Sequence, residues 1–332
     1  MLVFFKLFAS FLFYESIYNI IENKVFNNDY SQYSQYSQYS QNSQNSQNSI
    51  INQKRSKNLV CFIHNISSII LSFLKINNVF DNDLLVYWSS SYFIWDINMI
   101  LKSNQKSISH IYHHLITIWL LFSIHKFNFL LFVFYLGEIS NFWNYIVYDL
   151  YKINFDENKL LIIKKIQVLW LIYFRGILFS HYIYNYYGES KQQNHYLTYN
   201  LIVIYLLGII WFSNILIGVL KQDFEFIMVV GLLPFIFLTN FYNGFVKYTS
   251  IYIVTFGFNQ HWFIHNDITY YIDVLSNIFF CILINYYTKF QPQTYLITML
   301  MAITFCFNKK STILHTLLIQ FPAFFALKNF YM

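Results

Sequence analysis

Long apolar runs dominate this chain and confine it to a lipid environment. A helix that crosses a bilayer takes roughly 20 apolar residues, and about ten stretches between Met1 and Met332 approach that pattern. Charge is too scarce to coat them as a soluble surface. Asp, Glu, Lys and Arg make up 11% of the 332 residues, against roughly 25% in a soluble domain. A soluble globular enzyme and a wholly disordered protein are both excluded. Unpaired backbone groups are not tolerated in lipid, so the runs must be helices. The expected fold class is an all-α integral membrane protein.

Composition also sets how far single residues can be trusted. Phe, Tyr, Ile, Asn and Lys are abundant, with 8 Gly and 3 Pro, and only Arg55 and Arg175 represent arginine. This is the signature of AT-rich codons, so a lone Asn, Tyr or Lys carries little information. Arg175 or a His pair, which run against the bias, carry more. The net charge of +6 reports topology, and no basic block is long enough for a nucleic-acid arm. Cys61, Cys281 and Cys306 lie in apolar runs without a CxxC pair, which excludes a disulfide framework and a zinc finger.

Four regions follow in order. Residues 1–21 read as an anchor helix, favoured over a signal peptide because the basic start and small-residue end are missing. Residues 22–57, which carry the Tyr-Ser-Gln repeat, read as a disordered linker. Residues 58–221 hold six expected helices, at about 58–77, 84–101, 107–125, 127–149, 160–187 and 197–220. Residues 222–332 hold about four more, with Pro234 expected to kink one. Lys54, Arg55, Lys57, Lys102, Lys106, Lys152, Lys159, Lys164, Lys165 and Lys221 fall on one side of the membrane. Asp81, Asp83, Lys126, Glu189 and Lys191 fall on the other. The positive-inside rule puts the first set, and the repeat, in the cytoplasm.

Ionisable groups at bilayer depth are costly unless they face a bundle interior. Successive helices supply His64, then Asp96, then His110, His113 and His114, then Glu138, Asn141 and Asn144, then Arg175. His110, His113 and His114 stand at i, i+3 and i+4, so they share a helical face. Glu138, Asn141 and Asn144 form a second stripe. Such stripes either glue helices together by hydrogen bonds or line a common interior. His110 and His114 also have the spacing of helical zinc ligands, but the adjacent His113 and His114 point about 100° apart and do not readily share a metal.

The stretches FIHNISSII, SSYFIWD, IYHHLITI, LGEISNFWN, IYFRGIL and LLGIIWFSNILIGVLK, in that order, resemble the TLC domain of ceramide synthases and their non-synthase relatives. The resemblance covers about residues 58–221. It implies a six-helix bundle around a cavity open to lipid, in the endoplasmic reticulum or another endomembrane. It also implies that His113 and His114 serve N-acyl transfer from acyl-CoA, as a substrate, to a long-chain base. Asp96 and Glu138 would orient or polarise, and Arg175 would meet a carboxylate or an anionic head group. His64, His110, Asn141, Asn144 and Trp211 would line or support the cavity. No metal and no cofactor is implied. The acidic His-Asp signature of the synthases is missing from FYLGEISNFWNYIVYDL, which resembles the non-synthase branch instead.

The expected function is therefore binding, sensing or modifying membrane lipids, with long-chain bases or ceramides as candidate partners and no nucleic acid. Ceramide synthase-like acylation and a non-catalytic structural subunit stand as alternatives, and assembly of identical copies is compatible with each. Beyond residue 221, His265, Asp273 and His315 faintly resemble an intramembrane zinc hydrolase, but the flanking residues do not fit. Extra helices beside the bundle are the expectation there.

Overall fold

Each apolar run closes its backbone hydrogen bonds on itself. The structure is a computed structural model that describes residues 2–26, 41–79, 82–103, 107–190, 195–224, 226–241, 243–258, 275, 278–286, 291–307, 316–320, 322–324 and 327. No β-strand occurs among them. Four of the described helices are long and apolar enough to cross a membrane: Val3–Asn23, Ile50–Ile76, Phe129–Lys152 and Tyr196–Leu220. The chain divides into two compact units, residues 1–212 and 213–332.

The first unit contains α1 (Leu2–Ile20), α2 (Gln41–Ile76), α3 (Asn82–Lys102), α4 (Ile108–Ser123), α5 (Phe129–Lys152), α6 (Glu157–Leu171), α7 (Phe179–Ser190) and most of α8 (His195–Leu220). α2 runs along α5, α1 along α3, and α3 along α4. Lipid tails are as apolar as leucine, so helices here are not driven together by water. Close packing and polar links must do it. Tyr14, Val60, Leu85, Trp95, Leu121 and Leu130 fill the centre of the packing.

Helix ends follow from local chemistry. α2 and α5 close with Asn78 and Asn154 at φ 59° and 52°, in left-handed backbone. Around each, two amides return to the last turn. Val79 N–H reaches Leu74 O at 2.9 Å and Asn78 N–H reaches Lys75 O at 2.9 Å. The second end repeats the pattern with Phe155 to Leu150 at 3.1 Å and Asn154 to Tyr151 at 3.4 Å. These are Schellman ends, in which Asn takes the place usually held by Gly, as suits a glycine-poor chain. α6 starts on Asp156, whose side chain accepts from Lys159 N–H at 2.9 Å.

Ion pairs tie the helix ends together. Arg55 meets Asp149 at 2.8 Å and Lys102 meets Glu15 at 3.8 Å, at one end. His125 meets Asp83 at 3.5 Å at the other. α2 to α5 alternate in direction, α6 and α7 continue one another through the π-helical segment antiparallel to α5, and α1 runs parallel to α3.

Two boundaries differ from the sequence reading. The span read as linker, 22–57, is helical from Gln41, and Asn52 and Ser56 are buried. Once a helix is nucleated, each added residue gains one hydrogen bond at small cost, and the Arg55 ion pair holds this extension down. The expected anchor, α1, packs directly on α3. The expected helix at 160–187 is interrupted by a π-helical segment, Ile172–Leu178. Such an insertion leaves hydropathy unchanged and so is silent in sequence; it is frequent at functional sites.

In the second unit the described helices include Phe226–Val230, Leu233–Phe241, Phe245–Phe258 and Pro292–Phe307. All are shorter than the roughly 20 residues of a bilayer span. Pro234 does not kink a helix. It occupies the first turn of Leu233–Phe241, where a missing N–H costs nothing. Phe235, Leu238, Val246, Ile284 and Met301 form this unit's core. His261, His265, Asp267, Asp273, Asn277 and His315 lie outside the described residues.

Candidate functional site

The adjacent histidines of α4 divide their directions. His114 turns toward α3, where its Nε2 lies 2.8 Å from Asp96 Oδ2. Lys57 of α2 closes on the other oxygen, Oδ1, at 2.7 Å. Asp96 and His114 are both buried. The result is a Lys57–Asp96–His114 link that joins α2, α3 and α4 inside the membrane.

His113 turns the other way, into a cavity of about 610 Å³ including its mouth. Thr117, Gly137, Glu138, Asn141 and Arg175 also line it, with Phe93, Leu120 and Ile204 among the apolar walls. Small-molecule sites likewise combine apolar walls with a few placed polar groups. His113 Nδ1 is buried without a hydrogen-bond partner. Glu138 is buried, and its Oε2 accepts from Asn65 Nδ2 at 2.9 Å while the same amide donates to the Glu138 carbonyl at 2.7 Å.

Arg175 projects from the π-helical segment and donates to Asn141 Oδ1 over a long 3.4 Å. Its chain lies against α8, where a Cβ on Gly208 would stand 3.0 Å from Arg175 Cδ. Glycine there leaves room for the guanidinium stem. Asn141 continues a polar ladder. Asn144 Nδ2 reaches Asn141 Oδ1 at 3.3 Å, and Gln167 Nε2 reaches Asn144 Oδ1 at 2.7 Å.

The expected residues thus fall into separate groups. His113, Glu138, Asn141 and Arg175 come together at the cavity. Asn144 supports it through the ladder. Trp211 of α8 stacks on His110 at 4.6 Å and meets His113 edge-on at 5.2 Å. His114 and Asp96 form the separate link.

His64 is buried away from the cavity. It stacks on Tyr92 at 3.6 Å and shares hydrogen bonds with Tyr14 at 3.1 Å and Ser68. The zinc spacing of His110 and His114 does not converge, since His110 pairs with Ser107 at 2.6 Å and His114 with Asp96. No group of three or more His, Cys, Asp or Glu is placed to hold a metal among the described residues.

Three partners were not singled out from sequence. Asn65, Thr117 and Tyr14 belong to types that are common throughout the chain. Lys57 registered only as a topology charge.

Fold and cavity together define a polytopic α-helical membrane protein with a polar-tipped internal pocket. Residues 77–217 match the family model described as the TLC domain. The match begins after α2, so Lys57, His64 and Asn65 stand outside it, although the resemblance read from sequence started near residue 58. No curated protein and no solved structure matches the chain significantly.

Proposed function

We propose that this protein binds and handles membrane lipids in the α4–α5–α8 cavity, as a member of the non-synthase side of its family, in an internal cell membrane. The observation that carries this reading is the cavity itself: largely apolar walls with His113, Glu138, Asn141 and Arg175 among its lining. Glue alone does not account for it, because polar residues that only join helices satisfy one another, and His113 Nδ1 does not.

Filling the cavity tests the proposal. A Cβ at Gly137 meets nothing within 4 Å, so Gly137→Leu adds bulk inside the pocket without a clash at its base. Removing a mid-helix glycine also favours the helix by up to about 1 kcal/mol. The variant is expected to keep the parent's melting temperature and to lose co-purifying lipid, measured by mass spectrometry of extracts from matched preparations. Equal lipid in both would sink the proposal.

One observation favours a second reading, N-acyl transfer. His113 lines the cavity and its buried Nδ1 has no hydrogen-bond partner, so this ring would accept the amine proton as an acyl thioester is attacked, the amide forming and the thiol leaving. Membranes fed labelled long-chain base and acyl-CoA are then expected to yield labelled ceramide with the parent and none with His113→Ala. Absence of product from both rejects acylation and leaves lipid handling standing.

A further inference from the structure

The groups at the end of the cavity specify a head group. We infer that the lipid bound there is a single-chain amphiphile with an uncharged, hydroxyl-bearing head, placed between Glu138 and Arg175. The inference rests on the lipid-handling reading above.

Three observations lead to it. Glu138 and Arg175 both line the cavity, and their formal charges cancel. Yet they form no ion pair within 4.0 Å. Neither charge is therefore neutralised by direct contact with the other. Second, each has capacity to spare. One Glu138 oxygen is taken by Asn65 and the other shows no hydrogen bond among the described residues. Arg175 spends one of its five donors on a long contact with Asn141. His113 offers Nδ1 as well. Third, the remaining lining is mostly apolar, with the hydroxyls of Thr117 and Tyr205, and holds no further carboxylate, lysine or arginine.

A hydroxyl meets these terms. It donates once and accepts twice, so it can give its proton to Glu138 and accept from Arg175. A diol can engage His113 in addition. A charged head group cannot do so without penalty. An ammonium would pair with Glu138 but face Arg175, and a carboxylate or phosphate would do the reverse. Either would leave a net charge in a low-dielectric pocket, where an uncompensated ion is expensive.

The test uses the full-length protein in detergent micelles, offered an equimolar mixture of four oleoyl probes: monooleoylglycerol, oleic acid, oleylamine and oleoyl lysophosphatidic acid. Bound lipid is read by native mass spectrometry. The parent is expected to prefer monooleoylglycerol by about tenfold or more, which corresponds to about 1.4 kcal/mol. Glu138→Gln is expected to shift preference toward oleic acid and Arg175→Met toward oleylamine, because each leaves one sign of charge unopposed. The parent's ranking stands without the variants should either fail to fold. Preference of the parent for any charged probe overturns this inference and leaves lipid handling intact. Retention of none of the four overturns both.

Discussion

Asp96→Ala is expected to abolish the folded bundle at temperatures where the parent is intact. Asp96 holds the only carboxylate that Lys57 and His114 meet in the Lys57–Asp96–His114 link, at 2.7 and 2.8 Å. Deleting it leaves the half-buried Lys57 ammonium without this counter-charge and the buried His114 imidazole without its partner. Removing one partner of a buried pair typically costs about 3–5 kcal/mol, because the survivor stays desolvated. The loss falls where α2, α3 and α4 meet, and lipid offers these helices no hydrophobic force to replace it.

Heating detergent-solubilised protein and following the monodisperse fraction by size-exclusion chromatography measures this effect. The triple change Lys57→Met, Asp96→Leu, His114→Phe should recover much of the loss, since apolar residues of similar volume often replace a buried ion pair without penalty. An Asp96→Ala protein that melts with the parent would show that the link contributes nothing to folding.

The same link marks where sequence reading succeeds and where it stops. Asp96, His113, His114, Glu138 and Arg175 were legible because an ionisable group inside an apolar run is expensive, and expense implies a partner. Which partner each one has was not legible. His113 and His114 are neighbours in sequence, and about 100° of helical rotation sends one to the cavity and the other to Asp96. His64 looked equally promising, but an aromatic cage around Tyr92 holds it instead.

Lys57 and Asn65 were passed over for a different reason. In a chain so rich in Lys and Asn, residue type alone does not separate a structural cation or amide from the background. The π-helical segment that carries Arg175 was hidden because one extra residue per turn changes neither composition nor hydropathy. Helix identity was legible along most of residues 58–221, since length and apolarity decide it. Boundaries were less so, because a polar stretch such as 41–57 gives no apolar periodicity to mark it as helix.

α1 supplies the second large effect. Composition alone makes it an anchor, and an anchor can be removed without harming the domain it tethers. The contacts predict otherwise. Tyr14 is fully buried and lies within hydrogen-bond reach of His64 at 3.1 Å. Glu15 Oε2 accepts from Trp95 Nε1 at 2.8 Å, and Ser91 donates to the Leu7 carbonyl at 3.0 Å. Removing residues 2–20 would strip Trp95 and His64 of these partners and turn α3's polar serine face toward lipid.

Deletion of residues 2–20 is therefore expected to yield no monodisperse protein. Tyr14→Ala should cost about 3–5 kcal/mol, as large-to-small changes of core aromatics do. Tyr14→Phe, which keeps the ring and loses only the hydroxyl, should cost about 1 kcal/mol. That graded series separates packing from hydrogen bonding in the melting measurement. A truncated protein that melts with the full chain would return α1 to the status of a tether, and the Tyr14 cluster with it to an incidental contact.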